Sequence, residues 1–406
     1  MQPREARGPG PAVGASDPFA EASGRGPLSG VKVIELAGIG PGPYACMMLA
    51  DMGADVLRVQ RPLAGIDPTD PTLRGRRCIE LDLKKPGSTE AVLHLIDQMD
   101  VLVEGFRPGV AERLGLGPDV CLERNPGLVY GRITGWGQTG PLAHTAGHDI
   151  NYLALSGLLH QIGPPGGKPL PPMNVIADYG GGGLMLAFGV VCALRERDRS
   201  GRGQVVDAAM VDGAASFMAA ALGLRAHGVW RDAPGRNFLT GAAHYYDTYE
   251  TKDGRWIAVG AIEPQFHDLL LHKLGLDPRE FSDGVGFDAD RYERLIQEVW
   301  PRLRLKLAAA IRRHTRAELE ALFEGTDACV TPVLNLDEAA AHPQNVARSV
   351  YVEVDGVVQH APAPRFSRST PPQPRAGVMA ESSEALSKAG LSPAAIEALR
   401  ANGALR

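Results

Sequence analysis

The stretch Gly147-His148-Asp149-Ile150-Asn151-Tyr152 places an imidazole next to a carboxylate. A glycine precedes this pair and an apolar run, LALSGLL, follows it, which predicts a loop-to-helix junction. Imidazoles and carboxylates are the side chains that most often transfer protons near neutral pH. The same two residues could also cap a helix, so the spacing alone leaves a structural and a catalytic interpretation open.

Two further carboxylates lie in segments that could complete a site. Asp178, in NVIADYGGGG, ends an apolar run and comes before a glycine run (180–183) and a predicted helix. It could cap that helix, or the glycines could let a substrate approach the backbone, with N–H groups supporting a developing negative charge. Glu263, in AVGAIEPQF, follows a strand-like segment. A His, an Asp and a Glu are compatible with hydrolysis, acyl transfer or proton transfer.

Other catalytic and metal-dependent classes lack their motifs. Ser156 and Ser216 are not in a GxSxG sequence, which disfavours a serine hydrolase. There is no HExxH motif, and we expect no metal site. The five cysteines contain no CxxC pair, which indicates a reducing, cytoplasmic location without a disulfide framework. They are Cys46, Cys78, Cys121, Cys192 and Cys329.

Composition restricts the partners. The 406-residue chain is 44% hydrophobic and carries a formal net charge of -5, which argues against a nucleic-acid partner. Residues 1–25 are rich in Gly, Pro and Ala without an apolar core, so we predict a disordered tail and no signal peptide. The longest apolar run (184–194) has 11 residues and is too short to span a bilayer. We therefore expect no membrane association.

From residue 30 onward, β-rich runs alternate with helical segments, which predicts an α/β fold with a Rossmann-like parallel sheet. A hairpin at 245–261 turns on Asp253-Gly254 and predicts a second, smaller α+β domain. The predicted strands are VKVIEL (31–36), DVLRVQ (55–60), CIELDL (78–83), DVLVEGF (100–106), LVYGRITGW (128–136) and QVVDAAM (204–210).

A glycine loop after the first strand indicates a nucleotide-containing ligand. Its glycines, Gly38, Gly40 and Gly42, depart from the GxGxxG spacing of dinucleotide-binding proteins. The second strand offers Arg58 and Arg61 where an NAD site would have an acid. A phosphorylated ribose, as in NADP or coenzyme A, fits an arginine better. Two more arginines that could contact an anionic ligand, Arg107 and Arg113, follow the fourth strand.

Several motifs together resemble the α-methylacyl-CoA racemases, a branch of the class III (CaiB-type) coenzyme A transferase superfamily. They are VKVIELAGIGPGPYACMMLADMGADVLRVQRP, VLVEGFRPGVAERLGLGP, GWGQTGP, AGHDINYLALSG, GQVVDAAMVDG, AVGAIEPQF and DACVTPV. The resemblance extends from about residue 26 to about residue 375. AGHDINY and GAIEPQF are specific to the racemase branch.

The resemblance implies interconversion of (2R)- and (2S)-2-methylacyl-CoA through an enolate. His148 and Asp178 would flank the α-carbon of the substrate, and Glu263 would orient or tune the histidine. In the transferase branch the residue equivalent to Asp178 is a nucleophile and the histidine is absent, so a coenzyme A transferase is the alternative. Coenzyme A belongs to the substrate, and no separate cofactor is expected. Its expected contacts are Ile39 in the glycine loop, Arg61, Arg107, Arg113 and, more weakly, Lys84.

The resemblance also implies an interlocked homodimer, in which the small domain of one chain closes over the active site of the other. The expected organisation is a tail at 1–25, a large coenzyme A-binding domain at 26–225, a linker and small domain at 226–335, and a return segment with C-terminal helices at 336–406. One loop departs from the family pattern, with Thr240, Ala242 and His244 replacing an aspartate, a glycine and a proline. We expect this loop to line the acyl pocket.

Overall fold

A computed structural model of the chain describes residues 26–286 and 288–405, so the predicted tail at 1–25 lies outside the described residues. Its main sheet contains seven strands: β1 Lys32–Leu36, β2 Asp55–Gln60, β3 Arg76–Glu80, β4 Val101–Glu104, β5 Val129–Thr134, β6 Val205–Ala209 and β12 Val378–Met379. Their order is β12-β3-β2-β1-β4-β5-β6, and every neighbouring pair is parallel. This confirms the predicted Rossmann-like parallel sheet.

The sheet is parallel because helices cover both of its faces. Strands β2, β4 and β5 are buried along their whole length, as expected for runs rich in Val, Leu and Ile between two helical layers. The strand order reverses between β1 and β4, which creates the switch point at which open α/β sheets bind ligands. We call this sheet and its covering helices the large domain.

The helices of the large domain form two layers. One layer packs α1 (Pro41–Asp51) and α7 (Met185–Ser200) against one face of the sheet. The other layer packs four helices against the opposite face: α2 (Ser88–Ile96), α4 (Pro118–Arg124), α16 (Ser382–Lys388) and α17 (Pro393–Ala401). The helices up to residue 226 are α1 Pro41–Asp51, α2 Ser88–Ile96, α3 Val110–Arg113, α4 Pro118–Arg124, α5 Asp149–Ser156, α6 Leu158–Gln161, α7 Met185–Ser200, α8 Met210–Ser216 and α9 Ala219–Ala226. A π-helical segment, Val175–Leu184, leads directly into α7, and a 3-10 turn spans Pro71–Leu73.

A second unit, which we call the small domain, is built on three antiparallel strands. These are β7 Tyr246–Glu250, β8 Trp256–Gly260 and β9 Val330–Pro332, and the turn between β7 and β8 contains Gly254 at φ 70, as the Asp-Gly dipeptide predicts. Its helices are α10 Pro264–Lys273, α11 Tyr292–Arg294, α12 Trp300–Ile311 and α13 Arg316–Phe323, with shorter helical turns at Phe238–Thr240, Pro278–Gly284 and Leu295–Val299. The predicted limits at residues 225 and 335 stay predictions.

The C-terminal segment returns to the large domain. After α14 Leu336–Ala341, α15 Pro343–Ala347 and the hairpin of β10 Tyr351–Val354 with β11 Val357–His360, the chain adds β12 to the edge of β3. Helices α16 Ser382–Lys388 and α17 Pro393–Ala401 then join the core of the large domain. Arg74 anchors the hairpin, because it bonds the side chain of Gln359 at 2.8 Å and pairs with Asp51.

The π-helical segment and α7 form one continuous helix, Val175–Ser200, which is long and apolar enough to cross a membrane by length and composition. The 11-residue run considered from the sequence is therefore only part of a longer helix. Leu186 and Val190 on this helix are fully buried in the core beneath the sheet, as in the core helix of a globular domain.

Candidate active site

A cavity of about 620 Å³ opens at the carboxyl ends of β1, β4 and β5, which is the switch point of the sheet. His148 and Asp178 both line it, although they are 30 residues apart in the sequence. The wall also contains apolar and aromatic side chains, among them Phe106, Trp136, Tyr152 and Met210, together with polar and charged ones such as Asn174 and Arg107. The fold thus brings the predicted imidazole and carboxylate to one concave site.

His148 stands immediately before α5 and is exposed to the cavity side of the molecule. Its backbone N–H donates to Asn151 Oδ1 at 3.0 Å, which fixes the start of the helix. The glycine before it is required for space, because a Cβ on Gly147 would lie 2.7 Å from the ring of Tyr152. That ring stacks edge-on against Trp136, with centroids 4.7 Å apart, and so supports the loop that carries the histidine.

Asp178 lies in the first turn of the π-helical segment and is half-buried. Burial raises the pKa of its carboxyl group above the ordinary value. A hydrogen bond from Asn174 Nδ2, 3.3 Å from Oδ2, opposes this shift, and the charge of Asp149 adds to it. The carboxyl group faces the glycine loop, since a Cβ on Gly40 would lie 3.8 Å from Asp178 Oδ2.

The glycine run 180–183 has a different role from the one expected. It lies inside the helix and does not precede it, and its neighbours are other helices. A Cβ on Gly181 would lie 2.7 Å from the backbone of α8, and one on Gly183 would lie 2.7 Å from Tyr44 of α1. The expectation that these glycines admit a substrate is therefore wrong, because the space is filled by helix packing.

Asp149 caps the helix of Asp178 and not its own helix. Its Oδ2 accepts the backbone N–H groups of Ala177 and Asp178, at 2.8 and 2.9 Å. The capping role that the sequence left open for this pair is thus filled by Asp149, but at a helix other than the one that follows it. The acid next to the histidine instead connects the two halves of the candidate site.

A second cavity, of about 580 Å³, lies beside the first and shares Gly38, Ile39 and Phe106 with it. The predicted cations Arg61 and Lys84 line this second cavity, and both are exposed. Ile39 projects between the cavities with 89% of its surface exposed. A long ligand could therefore place an anionic end in one cavity and a reacting end in the other, crossing the glycine loop at Ile39.

The other residues predicted to contact a ligand, or to support the site, lie in different parts of the structure. Arg107 lines the first cavity, whereas Arg113 is exposed on α3 and lines neither cavity. Arg58 also lines the second cavity, but it is largely buried and pairs with Glu35. Glu263 is exposed at the start of α10 in the small domain and lines neither cavity of the described chain.

The loop that departs from the family pattern does not reach the first cavity. Thr240 lines a separate hollow on the small domain, and Ala242 and His244 are buried in the core of that domain. The loop therefore does not line the pocket of His148 and Asp178 of its own chain, and its place in an acyl pocket stays a prediction.

Sequence reasoning missed two supporting residues at the site. Asn174 donates a hydrogen bond to Asp178. Residues four apart lie on one face of a helix, so this contact could have been predicted if the helix had been expected to begin at Asn174. Glu104, at the end of β4, accepts the backbone N–H of Phe106 at 2.6 Å and pairs with Arg132 at 2.8 Å, which fixes the loop between the cavities. Across residues 26–286 and 288–405, no group of three His, Cys, Asp or Glu side chains is arranged to hold a metal ion.

The fold and the paired cavities agree with a family match over most of the chain. CoA-transferase family III matches residues 28–378, and the chain belongs to this family. Within it, the chain is 46% identical to mouse alpha-methylacyl-CoA racemase over 351 residues, covering 86% of this chain and 88% of that protein. It is 44% identical to the human alpha-methylacyl-CoA racemase, covering 80% and 82%. A crystal structure of a CAIB/BAIF family protein from Brucella suis superposes with a TM-score of 0.74 at 27% identity, covering 90% of this chain and all of that one.

Proposed function

We propose that the protein is an α-methylacyl-CoA racemase that inverts the α-carbon of a 2-methylacyl thioester. The observation that carries the proposal is the presence of His148 and Asp178 in the walls of one cavity at the switch point of the sheet. Inversion needs one group that removes a proton from one face of a carbon and another that returns a proton to the opposite face. One imidazole and one carboxylate are sufficient for this, with no redox step.

The reaction proceeds through an enolate. The base takes the α-proton, and the electron pair of the broken C–H bond moves toward the thioester carbonyl oxygen. The conjugate acid on the other side then protonates the α-carbon, and the two groups exchange roles for the opposite enantiomer. The negative charge on the oxygen requires N–H donors or a positive dipole. With the glycine run excluded by helix packing, the N-terminus of α5 beside His148 is the proposed source.

The environment of Asp178 suits a group that must both accept and release a proton. A carboxyl with an ordinary pKa is a weak base near neutral pH, and burial raises the pKa of Asp178 toward that range. His148 lines the same cavity, so an imidazole and a carboxyl group are both available there to exchange a proton with the substrate.

The second cavity supports the placement of coenzyme A. Its nucleotide and phosphates would lie near Arg61 and Lys84, and the pantetheine arm would cross Ile39 to bring the thioester to His148 and Asp178. Arg107 would contact the ligand at the entrance of the first cavity, and Arg113 is retained only as an outer contact. Each assignment predicts weaker acyl-CoA binding when the cation is removed.

We further propose that the active unit is an interlocked homodimer. Glu263 lies on the small domain away from the cavity of its own chain, so a role beside His148 would come from Glu263 of the partner subunit. The helix Val175–Ser200 exposes Leu184, Phe188 and Val191, at 43, 63 and 41%, along one face. An apolar stripe of this kind favours contact with another protein surface.

The test of the reaction is NMR of the protein with (2R)-2-methyldecanoyl-CoA in deuterated water, without an acceptor acid. We expect loss of the α-proton signal and convergence on both epimers. His148→Ala and Asp178→Asn should each abolish convergence on both epimers while acyl-CoA binding is kept, and the variant that lacks the base for the (2R) enantiomer should also lose α-proton exchange from it. An equal loss of binding would instead indicate that the residue is structural.

The same experiment tests the alternative, a coenzyme A transferase with Asp178 as nucleophile. If no exchange occurs until a free carboxylic acid is added, and a new thioester then forms, the racemase proposal is wrong and the transferase reaction is correct. The presence of His148 in the cavity favours the racemase, since acyl transfer through an anhydride does not require an imidazole there.

Subunit complementation tests the shared site. When His148→Ala and Glu263→Gln chains are co-expressed with different tags, a mixed dimer with sites built from two chains contains one site in which both residues are intact. Purified mixed dimers should therefore regain up to about half of the activity per dimer. If Glu263 acted within its own chain, every site would carry one defect and no activity would return.

A further inference from the structure

The carboxylate of Asp149 lies between the two helices that carry the candidate catalytic groups. Asp149 is the first residue of α5, directly after His148, and only 4% of its surface is exposed. Its Oδ2 accepts the N–H groups of Ala177 and Asp178 at the start of the other helix. A helix leaves its first N–H groups without internal acceptors, so one side chain here satisfies two of them.

We infer that Asp149 is a positioning residue that fixes Asp178 relative to His148 by joining the N-termini of their two helices. The inference rests on the proposed function, because two groups that act on opposite faces of one carbon must keep a defined separation. The backbone of Asp149 follows His148 directly, and its side chain bonds the backbone of Asp178 itself. A displacement of about 1 Å between catalytic groups can reduce a rate by roughly 100-fold.

Asp149 also acts on Asp178 through its charge. Its second oxygen, Oδ1, is buried and has no hydrogen-bond partner among the described residues, so the charge is poorly solvated. Burial is the main cause of the raised pKa of Asp178, and the charge of Asp149 adds to it. The other groups near this carboxyl are His148 and Asn174, which lower its pKa, and Tyr152, whose own pKa is raised by burial and by both aspartates.

Two substitutions distinguish the hydrogen bonds made by Asp149 from the effect of its charge. Asp149→Asn keeps a carbonyl oxygen that can accept both N–H groups but removes the charge. Asp149→Ala removes both. Exchange from the enantiomer whose proton Asp178 removes requires the ionised carboxylate. The rate of this exchange therefore falls as the pH is lowered, and this fall is the acid limb of its pH profile. For Asp149→Asn we expect this acid limb to move to lower pH, because a neighbouring negative charge that raises the pKa of Asp178 is lost. For Asp149→Ala we expect exchange from both enantiomers to fall about 100-fold with acyl-CoA affinity kept.

The experiment combines α-proton exchange of each enantiomer, followed across neutral pH, with amide hydrogen exchange at Ala177 and Asp178. The matched control is Asp277→Asn, because Asp277 likewise accepts a backbone N–H at a helical turn, from Arg279 at 3.0 Å, but is placed in the small domain. The control should leave the acid limb and both amides unchanged. Asp149→Ala should remove the protection of both amides, and Asp149→Asn should keep most of it.

The outcomes distinguish this inference from the proposed function. If Asp149→Ala keeps both amides protected and exchanges both enantiomers within twofold of the unsubstituted protein, Asp149 is not a positioning residue. An unshifted acid limb in Asp149→Asn would remove the role of its charge. If the unsubstituted protein exchanges no α-proton, the racemase proposal fails. The amide protection of Ala177 and Asp178 then still tests whether Asp149 holds the start of their helix. Should Asp149→Ala not fold, Asp149→Asn carries both readouts.

Discussion

Beneath the glycine loop of the large domain, Glu35 lies between Arg58 and Arg76, whereas the core of the small domain buries two imidazoles, His244 and His267, against each other. Both clusters place polar groups out of contact with water. They differ in charge. The first contains three ionised groups with a net charge of +1, and the second is stable only when it is neutral.

The ionic cluster holds the loop between the two cavities. Arg76 Nε lies 2.7 Å from Glu35 Oε2, and Arg58 binds the other carboxylate oxygen. Arg58 Nη2 also donates to the carbonyl of Gly38 at 3.1 Å, and Arg76 donates to the carbonyl of Pro43. Both ends of the glycine loop are thus bound from below, which holds Ile39 out between the two cavities.

The imidazole pair contributes no charge. His244 Nε2 lies 2.8 Å from His267 Nε2, and the two residues are 0 and 2% exposed. One Nε2 must donate and the other must accept, so protons on both Nε2 atoms would break the bond. Burial lowers the pKa of His244 to about 2 and also lowers that of His267. The nearby charges are Arg304 and Arg302, which disfavour a charged His244, and Asp268, which favours a charged His267.

The ionic cluster and the imidazole pair differ in how well they tolerate a change of pH. Arginine stays protonated throughout the range in which proteins fold, so only protonation of its carboxylate partner could weaken the ionic cluster. Imidazole titrates near neutrality when it is free in the unfolded chain. The stability of the large domain therefore depends on all three side chains of its ionic cluster. The stability of the small domain depends on an imidazole pair that has not taken up a further proton.

The largest expected effect comes from removing the shared anion. Glu35→Gln leaves two buried guanidinium groups without a counter-charge, and we expect the free energy of unfolding of the large domain to fall by about 3–5 kcal/mol. Amide hydrogen exchange along β1 measures it. Glu90→Gln is the control, because its partners His94 and Arg124 lie in exposed pairs. A loss as small as in this control would show that the cluster does not stabilise the fold.

A smaller loss is expected when one imidazole is removed. His267→Ala leaves a cavity and an unpaired Nε2 on His244, whose Nδ1 already lacks a partner among the described residues. The small domain should lose about 2–4 kcal/mol, measured by amide hydrogen exchange in α12. Replacing both imidazoles by leucine should recover most of this loss, because no polar group remains unpaired. Failure of the double variant to recover would show that the hydrogen bond itself is essential.

The pH dependence follows from the lowered pKa values. The unfolded state binds protons at the histidines below their ordinary pKa of 6.5, and the folded state does not until far lower pH. Stability therefore rises with pH in this window and is lost as the pH falls below 6.5. At pH 5 His244 should cost the small domain about 2 kcal/mol, and the lowered pKa of His267 adds to this loss. Hydrogen exchange in α12 at several pH values measures this, and the double leucine variant should remove the dependence. An equal loss in β1 would contradict the assignment to the small domain.

The smallest effect is expected for an exposed ion pair of the large domain. Arg124 binds both oxygens of Asp97 at 2.7 Å, with about one third of each side chain exposed. Asp97→Asn should lower the free energy of unfolding by less than about 1 kcal/mol, and added salt should remove the difference. Denaturant unfolding at two salt concentrations tests this. A loss comparable to that of Glu35→Gln would show that charge pairing, and not burial, sets the cost.

Much of the fold could be predicted from the sequence because it depends on local patterns. The strand predicted at 55–60 matches β2 at both ends, and the Asp253-Gly254 turn joins β7 to β8. Alternating apolar runs and helical segments were sufficient for the parallel sheet. Hydrophobic periodicity reports which residues are buried, and this information is local.

The sequence predicted two residues that share the first cavity but not the groups that hold them. His148 and Asp178 were recognised from residue type and motif, and the fold places both in one cavity. The partner of Asp149 lies 28 residues away, and the pairing of Arg58 with Glu35 could not be seen from the sequence. A sequence pattern shows that a polar residue is present and does not show which distant group satisfies it.

The return of the chain to β3 has a consequence for synthesis. A ribosome that has completed the small domain has released a sheet whose outer strand and two covering helices, β12, α16 and α17, have not yet been made. Until then the apolar side chains of β3 and α2 are open to water and to chaperones. The small domain can complete its contacts first, although it comes later in the chain than the first six strands of the main sheet. The large domain is therefore expected to complete its core only after the small domain has folded, although its first strand is translated first.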